Sequence, residues 1–350
     1  MGGGGPIQAL AVDPQVRGTV YAGQGRSLFK STDSGDSWKP SGLSNAGACC
    51  ARAIAIDPQT TATLYAGGIG VFKSTDGGES WRAVNAGLDT TSCCVTALAI
   101  DPQTPTTLYA GGTGGVFKST DGGDSWTAVN TGLDTTRCCG ALVIDPQTPT
   151  TLYAGGTGGV FKSTDGGESW SAVSSGLTDL RVSSLAIDPK TPTTLYAGTS
   201  GSGVFRSADG GISWSAFNAG LTDLNISSVV LDPRRPTTVY AAAAGGFFDG
   251  RVTGGGVFVI FTPADAFERL IEAIRRALAP EEQSSLIGPL RQGATLLTDT
   301  NPNNDRAACG RLDAFTDQVN SEEASGNLTA AQASQLRRDA AEITTALGCP

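Results

Sequence analysis

The chain has 350 residues, 24 Lys plus Arg against 33 Asp plus Glu for a formal net charge of −9, and no histidine. That sign excludes a groove tracking nucleic-acid phosphates, and the missing imidazole excludes His-ligated metals and haem as well as His-based catalytic triads. With 39% hydrophobic residues and Gly at 48, the composition is that of a turn-rich chain able to bury a sizeable core.

Residues 1–5 form a Gly-rich start with neither the basic nor the apolar region of a secretory signal. No apolar run approaches the ~18 residues needed to cross a bilayer, so no membrane insertion is expected. From residue 6 to 261 one unit of about 44 residues returns. Its clearest copy runs from Val95 to Leu133, with near-copies beginning around Ile7, Ala51, Gly140 and Val182, and a sixth, incomplete copy at Ile226. In each copy short β-branched and aromatic runs are broken by Asp-Pro, Gly-Gly and Asp-Gly-Gly, the pattern of short antiparallel strands joined by turns. Four strands per unit are expected, A to D, placed in the third copy at about 96–100, 107–110, 115–119 and 126–130. One such sheet cannot bury both faces alone. Successive sheets must stack around an axis, which predicts an all-β propeller of about six four-stranded blades, the last incomplete. The missing fourth strand of the sixth unit and the abrupt start raise the expectation that preceding sequence, or a partner, completes that blade.

Five segments, Ser31 to Trp38, Ser74 to Trp81, Ser119 to Trp126, Ser163 to Trp170 and Ser207 to Trp214, fit S-x-D-x-G-x-x-W. This resembles the Asp-box, or BNR, repeat of sialidase-like propellers, which also occurs in sortilin-type receptors, xyloglucanase-type glycosidases and photosystem assembly factors. In such a turn Asp33, Asp76, Asp121, Asp165 and Asp209 accept hydrogen bonds from backbone N–H groups while the glycines supply positive φ. Trp38, Trp81, Trp126, Trp170 and Trp214 are expected to cover the outer blade edges. A structural role is therefore expected for these Asp residues, not a catalytic or metal-binding one.

Ligand contacts are expected from the D–A and B–C loops, which leave the face opposite the A–B and C–D turns. The sialidases this repeat resembles need an arginine triad, a Tyr/Glu pair and an Asp acid. Arg52, Arg137 and Arg181 form no evident triad, and the Arg-Ile-Pro motif is absent. Glycoside hydrolysis by two carboxylates remains open without histidine. Asp89, Asp134, Asp179 and Asp223 lie in D–A loops, but they recur with the repeat. The largest break in symmetry is the sixth unit's insert, where Phe247, Phe248, Asp249 and Arg251 suit a ligand contact or, alternatively, a hydrophobic plug of the last blade. Three vicinal pairs, Cys49-Cys50, Cys93-Cys94 and Cys138-Cys139, recur in adjacent D–A loops. Structural disulfides, vicinal or between blades, are favoured over a thiolate metal site, because paired cysteines in a turn-rich chain suit an oxidising compartment.

From residue 262 onward the chain reads as helix. Thr262 is an N-cap, Phe267, Leu270, Ile271, Ile274 and Leu278 form one apolar stripe, and further helices are expected at about 281–298, 305–321 and 330–347, the last opened by a Thr329/Gln332 capping box. Residues 262–350 resemble the FIMAH domain of secreted bacterial proteins through Ala307-Ala308-Cys309, Leu312 to Phe315, Val319 and Leu328 to Ala333, which implies an extracellular or surface setting. Cys309 and Cys349 are expected to staple the third helix to the last. Asp299, Asn301, Asn303 and Asp305 read as a polar loop, not a calcium site, because the Gly and bidentate Glu of such a loop are missing. The sequence thus predicts a secreted or cell-surface propeller that binds protein or glycan without metal or cofactor, with a carbohydrate-active hydrolase as the alternative.

Overall fold

The computed structural model describes residues 6–48, 50–90, 94–135, 138–218, 221–233, 235–236, 238–244, 246–248, 251–253, 256–260, 263–278, 280–296, 302–347 and 349. The protein is a six-bladed β-propeller of antiparallel sheets followed by helices. In blade 3 strands A to D are Val95–Ile100, Leu108–Gly112, Gly115–Ser119 and Thr127–Ala128, hydrogen-bonded in that order. Blades 1, 2, 4 and 5 repeat this arrangement.

Strand D is shorter than its apolar pattern implies. Trp126 N–H leaves the ladder for the Ala86 carbonyl of the preceding unit at 2.8 Å. Asn130 turns its side chain inward instead, where Oδ1 accepts from Val116 N–H at 2.7 Å. Only Thr127 and Ala128 pair fully, with Lys118 and Phe117.

Strand B shows why a blade needs neighbours on both sides. Leu108, Tyr109 and Ala110 alternate in direction, yet all are at most 2% exposed. Leu108 and Ala110 pack toward Tyr65 and Val84 of blade 2, and Tyr109 packs toward Leu152 and Phe161 of blade 4. Burying each such aliphatic side chain is worth about 1.5–3 kcal/mol. A lone blade would forfeit half of these contacts.

The tyrosines also carry a polar staple. Tyr65, Tyr109 and Tyr153 donate their hydroxyls to the carbonyls of Gly122, Gly166 and Gly210 in the next blade's C–D turn, at 2.9, 3.0 and 3.0 Å. Lys73 and Lys162 reach the same carbonyls as their tyrosines, at 2.8 and 3.1 Å. Burial pushes the Tyr65, Tyr109 and Tyr153 hydroxyls up to about 12. The Asp-Pro-Gln turns are linked likewise from blade to blade, with Gln59 Nε2 donating to Pro102 O and Gln103 Nε2 to Pro146 O, both at 3.0 Å.

Blade 6 contributes three strands among the described residues, Ile226–Leu231, Val239–Ala243 and Gly256–Ile260. Its insert is a hairpin of Gly246–Phe248 with Arg251–Thr253, in which Phe247 pairs with Val252 and Phe248 with Arg251.

The chain divides into two compact units, one of residues 1–217, 223–230 and 241–257, the other of 218–222, 231–240 and 258–350. The second holds α1 (Pro263–Ala277), α2 (Pro280–Leu296), α3 (Pro302–Ala324) and α4 (Ala330–Leu347). Two of these begin earlier than the apolar periodicity suggests, since Pro280 and Pro302 suit a first helical turn whose N–H groups have no intrahelical partner. Phe267, Leu270, Ile271, Ile274 and Leu278 are buried against Leu286, Leu290, Leu312 and Phe315. Thr329 N–H donates to Gln332 Oε1 at 2.9 Å and Gln332 N–H to Thr329 Oγ1 at 3.3 Å, a reciprocal cap at the start of α4. Cys309 and Cys349 form a disulfide with Cα atoms 5.7 Å apart. Asp299 and Asn301 lie outside the described residues, as do the side chains of Asn303 and Asp305.

Candidate functional site

The two loop sets separate to opposite faces. Gly122, Gly166 and Gly210 of the C–D turns each donate N–H to the A–B turn of the same blade, at Thr106, Thr150 and Thr193, all at 2.8 Å. On the other face the B–C turns meet the D–A loops, with Gly159 N–H on Leu180 O and Gly203 N–H on Leu224 O at 2.9 Å, and Ser200 N–H on Arg181 O at 3.0 Å.

On the first face the S-x-D turns are closed on themselves. Asp76 Oδ1 accepts from Ser74 Oγ at 2.8 Å and Ser80 N–H at 2.9 Å, while Oδ2 accepts from Ser80 Oγ. Gly77 and Gly78 adopt positive φ to let the turn fold over this carboxylate. The serine hydroxyl and N–H pull Asp33, Asp76, Asp121, Asp165 and Asp209 down to about 2. Fully ionised and already hydrogen-bonded, these carboxylates are turn elements. The tryptophans do more than cover an edge. Trp126, Trp170 and Trp214 are buried, and their indole N–H groups donate at 2.8 Å to the carbonyls of Val84, Val129 and Val173, one blade back. They are wedges between blades, because the turn that carries them overlies the neighbouring sheet.

On the D–A/B–C face the loops are held tightly. A Cβ on Gly68 or Gly112 would overlap the carbonyl of Cys50 or Cys94, so these positions exclude side chains. Asn85 and Asn130 pin the starts of their C strands by accepting from Val71 and Val116 N–H at 2.7 Å. Sequence reasoning missed these two, although their recurrence at the same offset from the tryptophan was visible.

The four repeated D–A carboxylates have diverged. Asp89 and Asp134 are exposed and each is engaged in a contact. Asp179 is partly buried under Arg181, whose Nε and Nη2 reach Oδ1 and Oδ2 at 3.1 Å, a two-pronged pair lying over Gly201 of the blade 5 B–C turn. Burial pushes the Asp179 carboxyl up, but the hydrogen bonds and charge of Arg181 outweigh it and hold the group below the usual carboxylate range. Asp223 occupies the same loop position one blade on, with Asn225 where Asp179 has Arg181. It is 7% exposed; Oδ1 accepts from Asn225 N–H at 2.9 Å, and Oδ2 is buried with no hydrogen-bond partner. Both carboxyls are largely shielded, so the exchange of Arg181 for Asn225 changes their partners: Asp179 is capped by an exposed guanidinium, and Asp223 is left half-satisfied.

The sixth-blade candidates Phe247, Phe248 and Arg251 are placed by backbone on the hairpin, whereas their side chains, and Asp249 altogether, lie outside the described residues. Of the paired cysteines, Cys50 and Cys94 are half-buried and Cys94 carries a free thiol. Cys49, Cys93 and the side chains of Cys138 and Cys139 lie outside the described residues, as does Arg137. Among the described residues no group of three His, Cys, Asp or Glu side chains could hold a metal ion, and no helix is long and apolar enough to cross a membrane.

These features define a β-propeller with one face of self-closed turns and one of diverged loops. No family model and no curated protein matches the chain. Solved structures do. An ancestral GH74 enzyme aligns with a TM-score of 0.61 at 22% identity, covering 73% of this chain and 38% of its own. The GH74 enzyme of Niastella koreensis aligns at 0.58 and 22%, covering 72% and 44%. The extracellular domain of a putative hybrid two component system from B. thetaiotaomicron aligns at 0.51 and 13%, covering 72% and 32%. The chain thus spans less than half the length of these structures, and the likeness is one of fold.

Proposed function

We propose that the protein is a non-enzymatic, secreted or cell-surface propeller of the Asp-box type that binds protein or glycan through its D–A/B–C face, with the FIMAH-like helical unit, residues 262–350, as an attachment or interaction module. The observation that carries this reading is the Asp179–Arg181 pair. It offers a fixed guanidinium and an ionised carboxylate at the face, a hydrogen-bonding surface for sugar hydroxyls or peptide groups, and the opposite of the raised acid that hydrolysis requires. Phe247, Phe248, Asp249 and Arg251 are further ligand contacts in this reading, on the strength of their aromatic and charged chemistry in the sixth unit's insert. The Cys309–Cys349 disulfide supports an oxidising compartment, and disulfides among Cys49, Cys50, Cys93, Cys138 and Cys139 belong to the same reading, whereas the free thiol of Cys94 departs from the pairing expected of it. The test is a glycan array and a surface-protein pull-down with the full chain. Arg181→Ala and Phe247→Ala with Phe248→Ala are expected to weaken capture; capture unchanged by both variants overturns the assignment of the face.

Asp223 favours a second reading, a carbohydrate-active glycoside hydrolase using two carboxylates. Asp223 adds a second carboxyl group to the loop face that carries Asp179, with one oxygen buried and without a hydrogen-bond partner, and two carboxyl groups are what such hydrolysis needs. GH74 enzymes among the fold neighbours point the same way. Release of reducing ends from a β-glucan, abolished by Asp223→Asn, would establish this reading; no release by the wild type across a polysaccharide panel removes it.

A further inference from the structure

Each blade from 2 to 5 covers the next and is covered by the one before. In blade 3, Leu98 and Ile100 of strand A pack on Tyr65, Val71 and Val84 of blade 2. In blade 4, Leu142 and Ile144 pack on Tyr109, Val116 and Val129 of blade 3. Counting back from the Asp-Pro turn, the same positions in blade 1 are Leu10 and Val12. They are 65% and 68% exposed, and Ile7 at the start of the strand and Val16 in the turn after it are exposed as well.

The complementary face is equally recognisable. A covering blade presents the valine that follows the first glycine of strand C, fully buried as Val71, Val116, Val160 and Val204. Beside it stands a small or branched residue of strand A, such as Ala99 or Val143. In blade 6 these positions are Val257 and Val230, which are 72% and 55% exposed. Both faces are uncovered in the same chain, so neither covers the other.

We propose that the two faces form a head-to-tail interface between copies of this chain, blade 6 of one copy seated on blade 1 of the next. The occupant is a second copy because the packing that fits Leu10 and Val12 is the one this chain builds between its own successive blades, and it carries one spare face of each kind. Such an interface joins unlike surfaces, so each copy keeps one face open for the next. The contact is aliphatic while the chain carries −9, so added salt should strengthen it by screening repulsion.

Sedimentation velocity on the full chain tests this. Wild type is expected to show a concentration-dependent series of oligomers. Leu10→Lys with Val12→Lys should be monomeric, and so should Val230→Lys with Val257→Lys. Because each pair blocks a different face, an equimolar mixture of the two variants should form a dimer and nothing larger. All four positions are exposed, so circular dichroism should match wild type; if a Lys pair perturbs the fold, Leu10→Gln with Val12→Thr replaces it. A wild type that stays monomeric throughout, a mixture that stays monomeric, or oligomers indifferent to both pairs overturns the proposal.

Discussion

The blade-to-blade staple can be dissected at the Gly122 carbonyl, which accepts from Tyr65 Oη at 2.9 Å and Lys73 Nζ at 2.8 Å. Tyr65→Phe removes one donor but keeps the ring over which Lys73 lies, 5.5 Å from its centroid. Lys73→Met removes the other donor and keeps most of the stem. Each single change leaves the carbonyl with a partner and should cost about 0.5–1.5 kcal/mol, the net worth of one hydrogen bond. The double variant leaves the carbonyl with neither donor, and desolvation of an unmet buried acceptor adds about 1 kcal/mol beyond the sum. Loss of the cation–π contact cancels from the cycle, because Lys73→Met removes it on both backgrounds. Urea denaturation at constant m measures the coupling, and about 1 kcal/mol corresponds to roughly 2–4 °C in Tm for a propeller of this size. Additivity within about 0.3–0.5 kcal/mol would refute the idea that the two donors share one carbonyl.

The five turn carboxylates sit at about 2 in the folded chain against an ordinary 3.8, so their contribution is complete above the ordinary value and is lost as pH falls through about 2. Thermal scans should show Tm falling across that window, and replacing the five by Asn should flatten the slope. At the alkaline end, Tyr65, Tyr109 and Tyr153 sit at about 12 against 10.0 and favour folding only while protonated, so stability should decline as pH rises from about 10 through 12. Spectrophotometric titration should show these tyrosines ionising late and together with unfolding. Cys309 and Cys349 close a loop with a separation of 40 residues, for which chain entropy gives about 4 kcal/mol. Cys309→Ser with Cys349→Ser should therefore lower the helical transition in far-UV circular dichroism, and an unchanged midpoint would count against the staple.

Local chemistry was legible in the residues. Asp76 and Ser80 are four apart, Thr329 and Gln332 three, and such short bonds form wherever their sequence occurs. The propeller followed from the period, because a sheet with two apolar faces has to be stacked on both sides. The α1 stripe was readable for the same reason, since its period alone defines the buried side.

What tertiary structure decided lies between units. Tyr65 meets Gly122 across 57 residues and Trp126 meets Val84 across 42, and neither pair can be read from either segment, because stacking alone brings them together. Strand D shortened for that reason, when Trp126 spent its N–H on the neighbouring blade. The divergence of Asp179 and Asp223 was printed in the sequence as Arg181 against Asn225, but that the loop shields both carboxyls and leaves Asp223 Oδ2 without a partner was decided by the fold. The repeat likewise makes Leu10 and Leu98 look equivalent. Only the fold sets them apart, since burial belongs to the neighbour a residue has and not to the residue itself.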